Sequence, residues 1–595
     1  MRAFTDELWG QPAKIVIGFD IGTTQAAVSF AHLYPGGPQG VQRVVQWPGQ
    51  ENQGGESKIP SLIWYDQLGR ARAFGAEARK SDVLDQAEDG GWKLAKHFKL
   101  HLHPDSMKSS HQITLDPLPP QVPVEKIYAD FIGYLFRQTK RFFQERILDG
   151  ENTWKLLERK IDFIIAHPNG WDITEQTILR QAVIDAGILP SLSAALERVY
   201  FVSEAEASVH FVLHHTDLEA RLEIQDNFIV CDAGGSTVDT TLYTASQIKP
   251  LLRLEEKRAS ACVQAGAIFV NQSAKEYLFE LFSKSDLDEE TAAEYISEAL
   301  ESFETDAKKS FRDASEEKTL SVGGRKFTSA ELNVRRGSMA LRGSVVEGFF
   351  DPWVTKIIES VNSQIEGHSV KYILLVGGFG ESHYLRQRLR EGPASAGIEL
   401  TLADDPTSKA VADGAVIWFM KHSVTARATR FAFGTQVIVP AHSIDGPKIG
   451  RRVFQNPDGP YITGGWWQVV PKGQVLENDT EISRELHHSY GSKKPKLQNY
   501  SCPIYSYDGV DEPLFMTDTK DLIKPGFNHI CDVAANLSGL KGALVRRTGP
   551  NGAYWTIGFS IALTFGGTEL KASLVWEEHG IMRRGPASII PPSKI

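Results

Sequence analysis

The chain is poor in cysteine, with four in 595 residues: Cys231, Cys262, Cys502 and Cys531. None is spaced as Cys-x-x-Cys, which removes zinc-ribbon and thioredoxin-type redox readings. Such sparing use suits a reducing compartment. Excess positive charge is also missing: 64 Lys and Arg stand against 74 Asp and Glu, a formal net charge of −10. That balance favours solubility and carries no electrostatic footprint for nucleic acid or an anionic membrane, so neither is expected as a partner. No apolar run approaches the about 20 residues needed to cross a bilayer. The opening Met1-Arg-Ala-Phe-Thr-Asp-Glu7 has acids where a signal peptide needs a basic start and an apolar stretch. A cytoplasmic protein is therefore expected. The final Ser593-Lys594-Ile595 differs from a peroxisomal Ser-Lys-Leu address in its last residue.

A chain this long exceeds one ordinary core, so two or more domains are expected. From residue 15 to about 420, short Ile/Val-rich runs at Ile15–Phe19, Ile161–Ala166, Phe228–Cys231 and Tyr372–Val376 read as strands buried on both faces. Helical patterns lie between them. Ile127, Phe131, Ile132 and Leu135 make one apolar face after a Pro-rich turn. Asp172 and Glu175 have capping-box spacing, and Gly187 suits that helix's end. Leu300, Phe303, Ala307 and Phe311 keep a helical period within a charged, exposed segment. This alternation predicts an α/β region. Past residue 430 the pattern turns to β. Trp555, Ile557, Phe559, Ile561, Leu563 and Phe565 alternate with other residues, Gly566-Gly567 turns, and Leu570, Ala572, Leu574 and Trp576 return. Trp466–Val470 and Pro503–Tyr507 read as further strands. Polar, basic His422–Arg430 reads as a linker.

Two motifs carry the chemistry. The first is Ile15-Val-Ile-Gly-Phe-Asp20-Ile-Gly22-Thr23-Thr24; the second is Phe228-Ile-Val-Cys-Asp232-Ala-Gly234-Gly235-Ser236-Thr237-Val-Asp239. Each places a carboxylate at a strand end, then glycine, then hydroxyls. Glycine lets backbone N–H groups approach a phosphate, and Ser or Thr adds directed donors. Magnesium keeps several waters and is usually held by one or two carboxylates plus phosphate oxygens. A third motif, Val376-Gly377-Gly378-Phe379-Gly380-Glu381-Ser382, comes after a strand and precedes a helix, where the dipole favours anions. Any one of these could be a plain hairpin turn or packing joint; three in order, each after a strand, argue for nucleotide. The first turn has neither a Walker A lysine nor a Rossmann fingerprint. The repeated turn suggests an internal duplication into two facing lobes.

With these motifs the chain resembles the actin, sugar kinase and heat shock protein 70 superfamily, and within it the divergent, lid-less relatives of heat shock protein 70. Ile164-Ile-Ala-His-Pro168 and Val202-Ser-Glu204-Ala-Glu-Ala-Ser208 extend the likeness. The resemblance implies a two-lobed actin-like ATPase of duplicated ribonuclease H-like lobes over 1–421 (about 15–205 and 206–421). It also implies a linker at 422–430 and a β-rich, substrate-binding-like domain over 431–595 without a helical lid. The implied cofactors are ATP or ADP with magnesium. Gly22, Thr23 and Thr24 would touch phosphates, and Gly234, Gly235, Ser236 and Thr237 would hold the β- and γ-phosphates. Asp20, Asp232 and Asp239 would order magnesium and its waters, with Asp20 and Asp232 as the metal-holding pair, acting through water. Glu204 would help place the attacking water or a metal-bound water. Lys93 or Lys96, with Lys96 preferred, would neutralise the γ-phosphate. Lys308 and Lys309 would line the adenosine side, and Gly377, Gly378 and Phe379 would face ribose and adenine.

Departures from the family pattern narrow the functional expectation. Ser236 stands where the family has a third glycine, Thr305 at the adenine-contacting Glu, and Ala205 at a Pro. Ser423-Val-Thr-Ala-Arg-Ala-Thr-Arg430 replaces an apolar linker. Nucleotide binding tolerates these changes better than allosteric chaperoning, and coupling to a J-domain co-chaperone is not implied. The expectation is a slow magnesium-dependent ATPase whose β-rich domain binds a protein or peptide client. The alternatives are a small-molecule kinase of the same superfamily and a non-hydrolysing pseudo-ATPase. Other residues read as structural. His210 and His214, at i, i+4, suggest an exposed helix face, with Glu206 and His210 a surface pair. Trp466-Trp467 reads as one core ring and one exposed ring, and Cys231 as packing.

Overall fold

The computed structural model describes residues 2–51, 56–104, 107, 115–249, 252–402, 410–442, 450–478, 480–498, 500–566, 569–586 and 588–590. Gly567 and Ser593–Ile595 lie outside them. Two compact units emerge: Met1–Trp171 with Ile178–Glu255 and Ser260–Val424, and Asp172–Thr177 with Glu256–Ala259 and Thr425–Ile595.

In the first unit, Lys14–Ile21 is buried from Ile15 onward, as an apolar run covered on both faces must be. It forms a hairpin with Gln25–Leu33, pairing Asp20 with Ala27, and lies parallel to Ile161–His167. The pattern recurs. Asn227–Ala233 forms a hairpin with Val238–Gln247, pairing Asp232 with Asp239, and lies parallel to Tyr372–Val376. Even the turns match: Gly22 N–H donates to Gln25 O at 3.0 Å, and Gly234 N–H to Thr237 O at 3.0 Å. The duplication is thus visible in backbone geometry, with an aspartate two residues before the leading glycine each time. The architecture is that of a two-lobed, actin-like α/β ATPase fold with a β-rich C-terminal region.

Helix Glu204–His215 starts at Ser203, whose Oγ accepts Glu206 N–H at 3.2 Å. It packs on helix Ala410–Lys421 so closely that a Cβ at Gly414 would run into Ala207 O. Three polar side chains inside this packing make internal hydrogen bonds. Trp418 Nε1 donates to Glu206 Oε1 at 2.7 Å. His210 Nδ1 lies 2.8 Å from Glu206 O, and His210 Nε2 accepts Ser423 N–H at 3.1 Å. The proton therefore sits on Nδ1. Glu206 and His210 are both 0% exposed, which overturns the surface-pair reading. Helix Ile173–Asp185 carries the expected capping box, with Asp172 N–H donating to Glu175 Oε2 at 3.0 Å.

The segment read as a linker contains a strand, Val424–Ala428, with Ala426 paired to Glu477. In the second unit one sheet runs Val453–Asn456, Gly459–Val470, Ala432–Pro440, Tyr500–Tyr507, Phe527–Ala535 and Ser588–Ile590. Another runs Thr480–Tyr490, Gly552–Gly566, Glu569–Glu578 and Ile581–Pro586. Val470, Ile504 and Val533 of the first share a core with Ile557, Phe559, Leu563 and Leu574 of the second. The predicted hairpin is the pair Gly552–Gly566 and Glu569–Glu578, with Ile561 opposite Leu574. Trp466 is buried and Trp467 half-buried. Among the described residues, no helix is long and apolar enough to cross a membrane.

Candidate functional site

The two turns meet. Thr23 Oγ1 lies 2.7 Å from Ser236 Oγ, and both residues are buried. A Cβ at Gly235 would approach Thr24 Oγ1 to 3.2 Å. Thr237 is buried beside Ser236, while Gly22, Thr24, Gly234 and Gly235 keep some exposure. Behind the second turn, Ala267 N–H donates to Gly234 O at 3.2 Å and Ile268 N–H to Gly235 O at 2.8 Å.

Four buried carboxylates act on one another through their charges: Asp20 (4% exposed), Glu204 (9%), Asp232 (5%) and Asp239 (1%). Each has a partner. Lys58 Nζ lies 3.3 Å from Asp20 Oδ2. Lys99 Nζ lies 2.5 Å from Glu204 Oε1. Ser208 Oγ donates to Asp232 Oδ2 at 2.5 Å, and Asn169 N–H to Asp239 Oδ1 at 3.2 Å. Burial, then the Glu204 charge, pushes Asp232 up to about 7. The same two causes push Asp239 up to about 8, against the Cys262 thiol that hydrogen-bonds it. Burial works against the Lys99 ammonium, but the Glu204, Asp20 and Asp239 carboxylates overcome it and hold its pKa above the usual value. Carboxylates so crowded gain from any cation that enters.

The third motif reaches the same place through one residue. Gly377 has φ +83°, and a Cβ there would meet Asp232 Oδ1 at 2.5 Å. Only glycine fits this position, for conformation and for space. Gly378 is exposed. Phe379 is 4% exposed and stacks on Phe350 with ring centroids 6.2 Å apart, so its side chain packs in the core. Lys308 Nζ donates to Asn271 Oδ1 at 2.8 Å, and burial lowers its pKa; Lys309 is exposed.

The lysine expectation shifts along the chain. Lys93 and Lys96 lie on strand Lys93–Lys96; Lys93 is exposed, and Lys96 pairs with Asp116 at 3.2 Å with its side chain 44% exposed. Lys99 opens the next short helix and is 3% exposed. The turn from strand to helix is what carries a lysine into the cluster. Sequence motifs did not single out Lys58, Ser208 or Asn169 as site residues. Ser208 closes the Val202–Ser208 segment of the family likeness; Lys58 is marked only by its place before Pro60.

No family model matches the chain. Heat shock 70 kDa protein 12B of Homo sapiens is 21% identical to it over 589 residues, covering 85% of this chain and 82% of that protein. Heat shock 70 kDa protein 12A of Homo sapiens is 21% identical over 647 residues, covering 95% and 90%. Its Mus musculus counterpart is 21% identical over 654 residues, with the same coverage of 95% and 90%. Over most of its length the chain is thus similar to divergent heat shock 70 kDa proteins.

Proposed function

We propose that this divergent heat-shock-70-like chain binds ATP with magnesium between its two Asp-Gly turns, hydrolyses it slowly, and uses the bound state to switch protein or peptide binding by its β-rich region. The observation that carries the reading is the Thr23–Ser236 contact at 2.7 Å, because it brings two phosphate-type turns to one point. The nucleotide would occupy 1–421 and the client 431–595.

The donor set fits a hydrated magnesium ion. Among the described residues no three His, Cys, Asp or Glu side chains converge as a direct metal site. Asp20, Asp232 and Asp239 would hold the ion through its waters, as magnesium prefers. When bound, the ion neutralises charge on the β- and γ-phosphates. The chain's own groups do the rest. N–H groups of both turns and the Thr23, Thr24, Ser236 and Thr237 hydroxyls bind phosphate oxygens. Lys99 supplies fixed positive charge where the γ-phosphate's charge grows. Glu204, held by Lys99, orients the attacking water. Phosphoryl transfer asks for such positioning and charge stabilisation more than for covalent chemistry. A buried Phe379 ring and Thr305 at the base-contacting position leave base selectivity to other residues.

Titration calorimetry with ATP, ADP and GTP plus magnesium, on the wild type and Asp20→Asn, tests binding. Phosphate release tests turnover. Binding without release would identify a nucleotide-switched module, and no binding by the wild type would remove the reading.

A further inference from the structure

A short strand beside the first turn holds a lysine that the resemblance did not assign. Strand Lys58–Pro60 pairs with Gln25–Leu33, placing Lys58 opposite Ala27. The residue after that strand braces the turn itself: Ser61 Oγ donates to Gly22 O at 2.8 Å, and Ser61 N–H to Thr24 O at 2.9 Å. The Lys58 backbone is fixed as well. Its N–H donates to Glu56 Oε1 at 3.1 Å, and its carbonyl accepts Gln50 Nε2 at 3.0 Å. A fixed backbone aims a long side chain at the start of the phosphate turn.

The two ammonium groups of the cluster are held differently. Lys99 is committed to Glu204 at 2.5 Å, with its side chain 4% exposed. Lys58 reaches Asp20 at 3.3 Å, with its side chain 15% exposed. A settled ammonium–carboxylate bond is nearer about 2.7–2.9 Å. Lys58 is thus the looser cation, beside the carboxylate that ends the strand before Gly22. Asp20, Glu204, Asp232 and Asp239 against Lys58 and Lys99 leave the ionised cluster net negative. Nucleotide phosphates add to that charge, so each nearby cation is drawn to them.

We propose that Lys58 is a phosphate ligand of the nucleotide, exchanging Asp20 for a phosphate oxygen as nucleotide enters and so releasing Asp20 to the metal's water shell. The inference rests on the nucleotide reading of this cleft. It makes part of the countercharge a property of the protein, so a fraction of nucleotide affinity persists without divalent metal. The competing role, a plain ion pair that only stabilises Asp20, predicts altered melting and unaltered affinity.

The test is titration calorimetry of the full chain with ADP and ATP, in magnesium and in EDTA, on the wild type, K58M, K58R and D20N. The K58M change should weaken binding about tenfold or more (about 1.4 kcal/mol or more) in both media. K58R should bind close to wild type. D20N should lose the advantage of magnesium and keep the binding seen in EDTA. K58M binding as tightly as wild type overturns the proposal. So does K58R losing as much as K58M, since packing and not charge would then be at work. Should K58M not fold, amine-reactive labelling of the wild type decides. ADP in EDTA should slow modification of Lys58, and an unchanged rate overturns the proposal. Failure of the wild type to bind nucleotide in either medium is a different result, because it removes the nucleotide reading itself.

Discussion

Thr23 and Ser236, 213 positions apart in the chain, share a buried hydroxyl–hydroxyl contact of 2.7 Å. Thr23→Val leaves Ser236 Oγ without this partner, at a cost of about 1–3 kcal/mol. Adding Ser236→Ala removes the orphan, so the double variant should be more stable than the sum of the single changes allows. Denaturant unfolding of the four proteins checks this; strict additivity would mean that the hydroxyls do not interact.

Lys99 and Lys96 should behave oppositely. Lys99→Met strands Glu204 in a buried cluster, an effect of about 3–5 kcal/mol, and should abolish phosphate release. Lys96→Met removes a half-exposed pair with Asp116 and should shift stability by about 0.5 kcal/mol or less. Equal loss of phosphate release in both variants would return the catalytic role to Lys96.

Stability should depend on pH in a defined direction. Asp232 and Asp239 titrate near 7 and 8 in the folded chain, against an ordinary 3.8. Between these values the folded state holds protons that the unfolded chain has lost. Its stability contribution is therefore largest in acid and falls as pH rises from about 4 to about 8. Thermal midpoints of the nucleotide-free protein should show that decline, and Asp239→Asn should flatten it. Magnesium with ADP should flatten it too, because a bound cation favours the ionised carboxylates. A contribution from this pair that grows with pH would contradict the burial argument.

Gly414→Val should destabilise by about 1–3 kcal/mol, since a side chain there meets the Ala207 carbonyl. Gly348→Ala, where a Cβ meets nothing within 4 Å, is the control. Paired melting curves measure the difference.

Much of the α/β core was legible because its signals are local. Strands such as Phe228–Cys231 are unbroken apolar runs ending in turn chemistry, and the capping box at Asp172 and Glu175 is a four-residue pattern. The cation–carboxylate contacts were not, since Lys99 and Glu204 are 105 positions apart and no period links them. Glu206 and His210 misled for another reason. Glu204 to Leu213 are all buried, so the helix is enclosed on every side and its polar positions mark internal bonds. The segment that replaces the apolar linker also carries a local signal. Val424, Ala426 and Ala428 are buried while Thr425 and Arg427 are not, the alternation of a strand.

Helix Glu204–His215 spans about 18 Å, at about 1.5 Å for each of its 12 residues. Its first residue bears on Lys99, and its seventh, His210, holds the N–H of Ser423, where the chain leaves the first unit's last helix. Such a rod behaves as a lever arm. A rotation imposed where Glu204 sits turns His210 through the same angle, because the hydrogen-bonded backbone between them does not flex independently. Glu204 and Ser423 are thus joined through one helix, by a side-chain contact at its start and a hydrogen bond at its seventh residue.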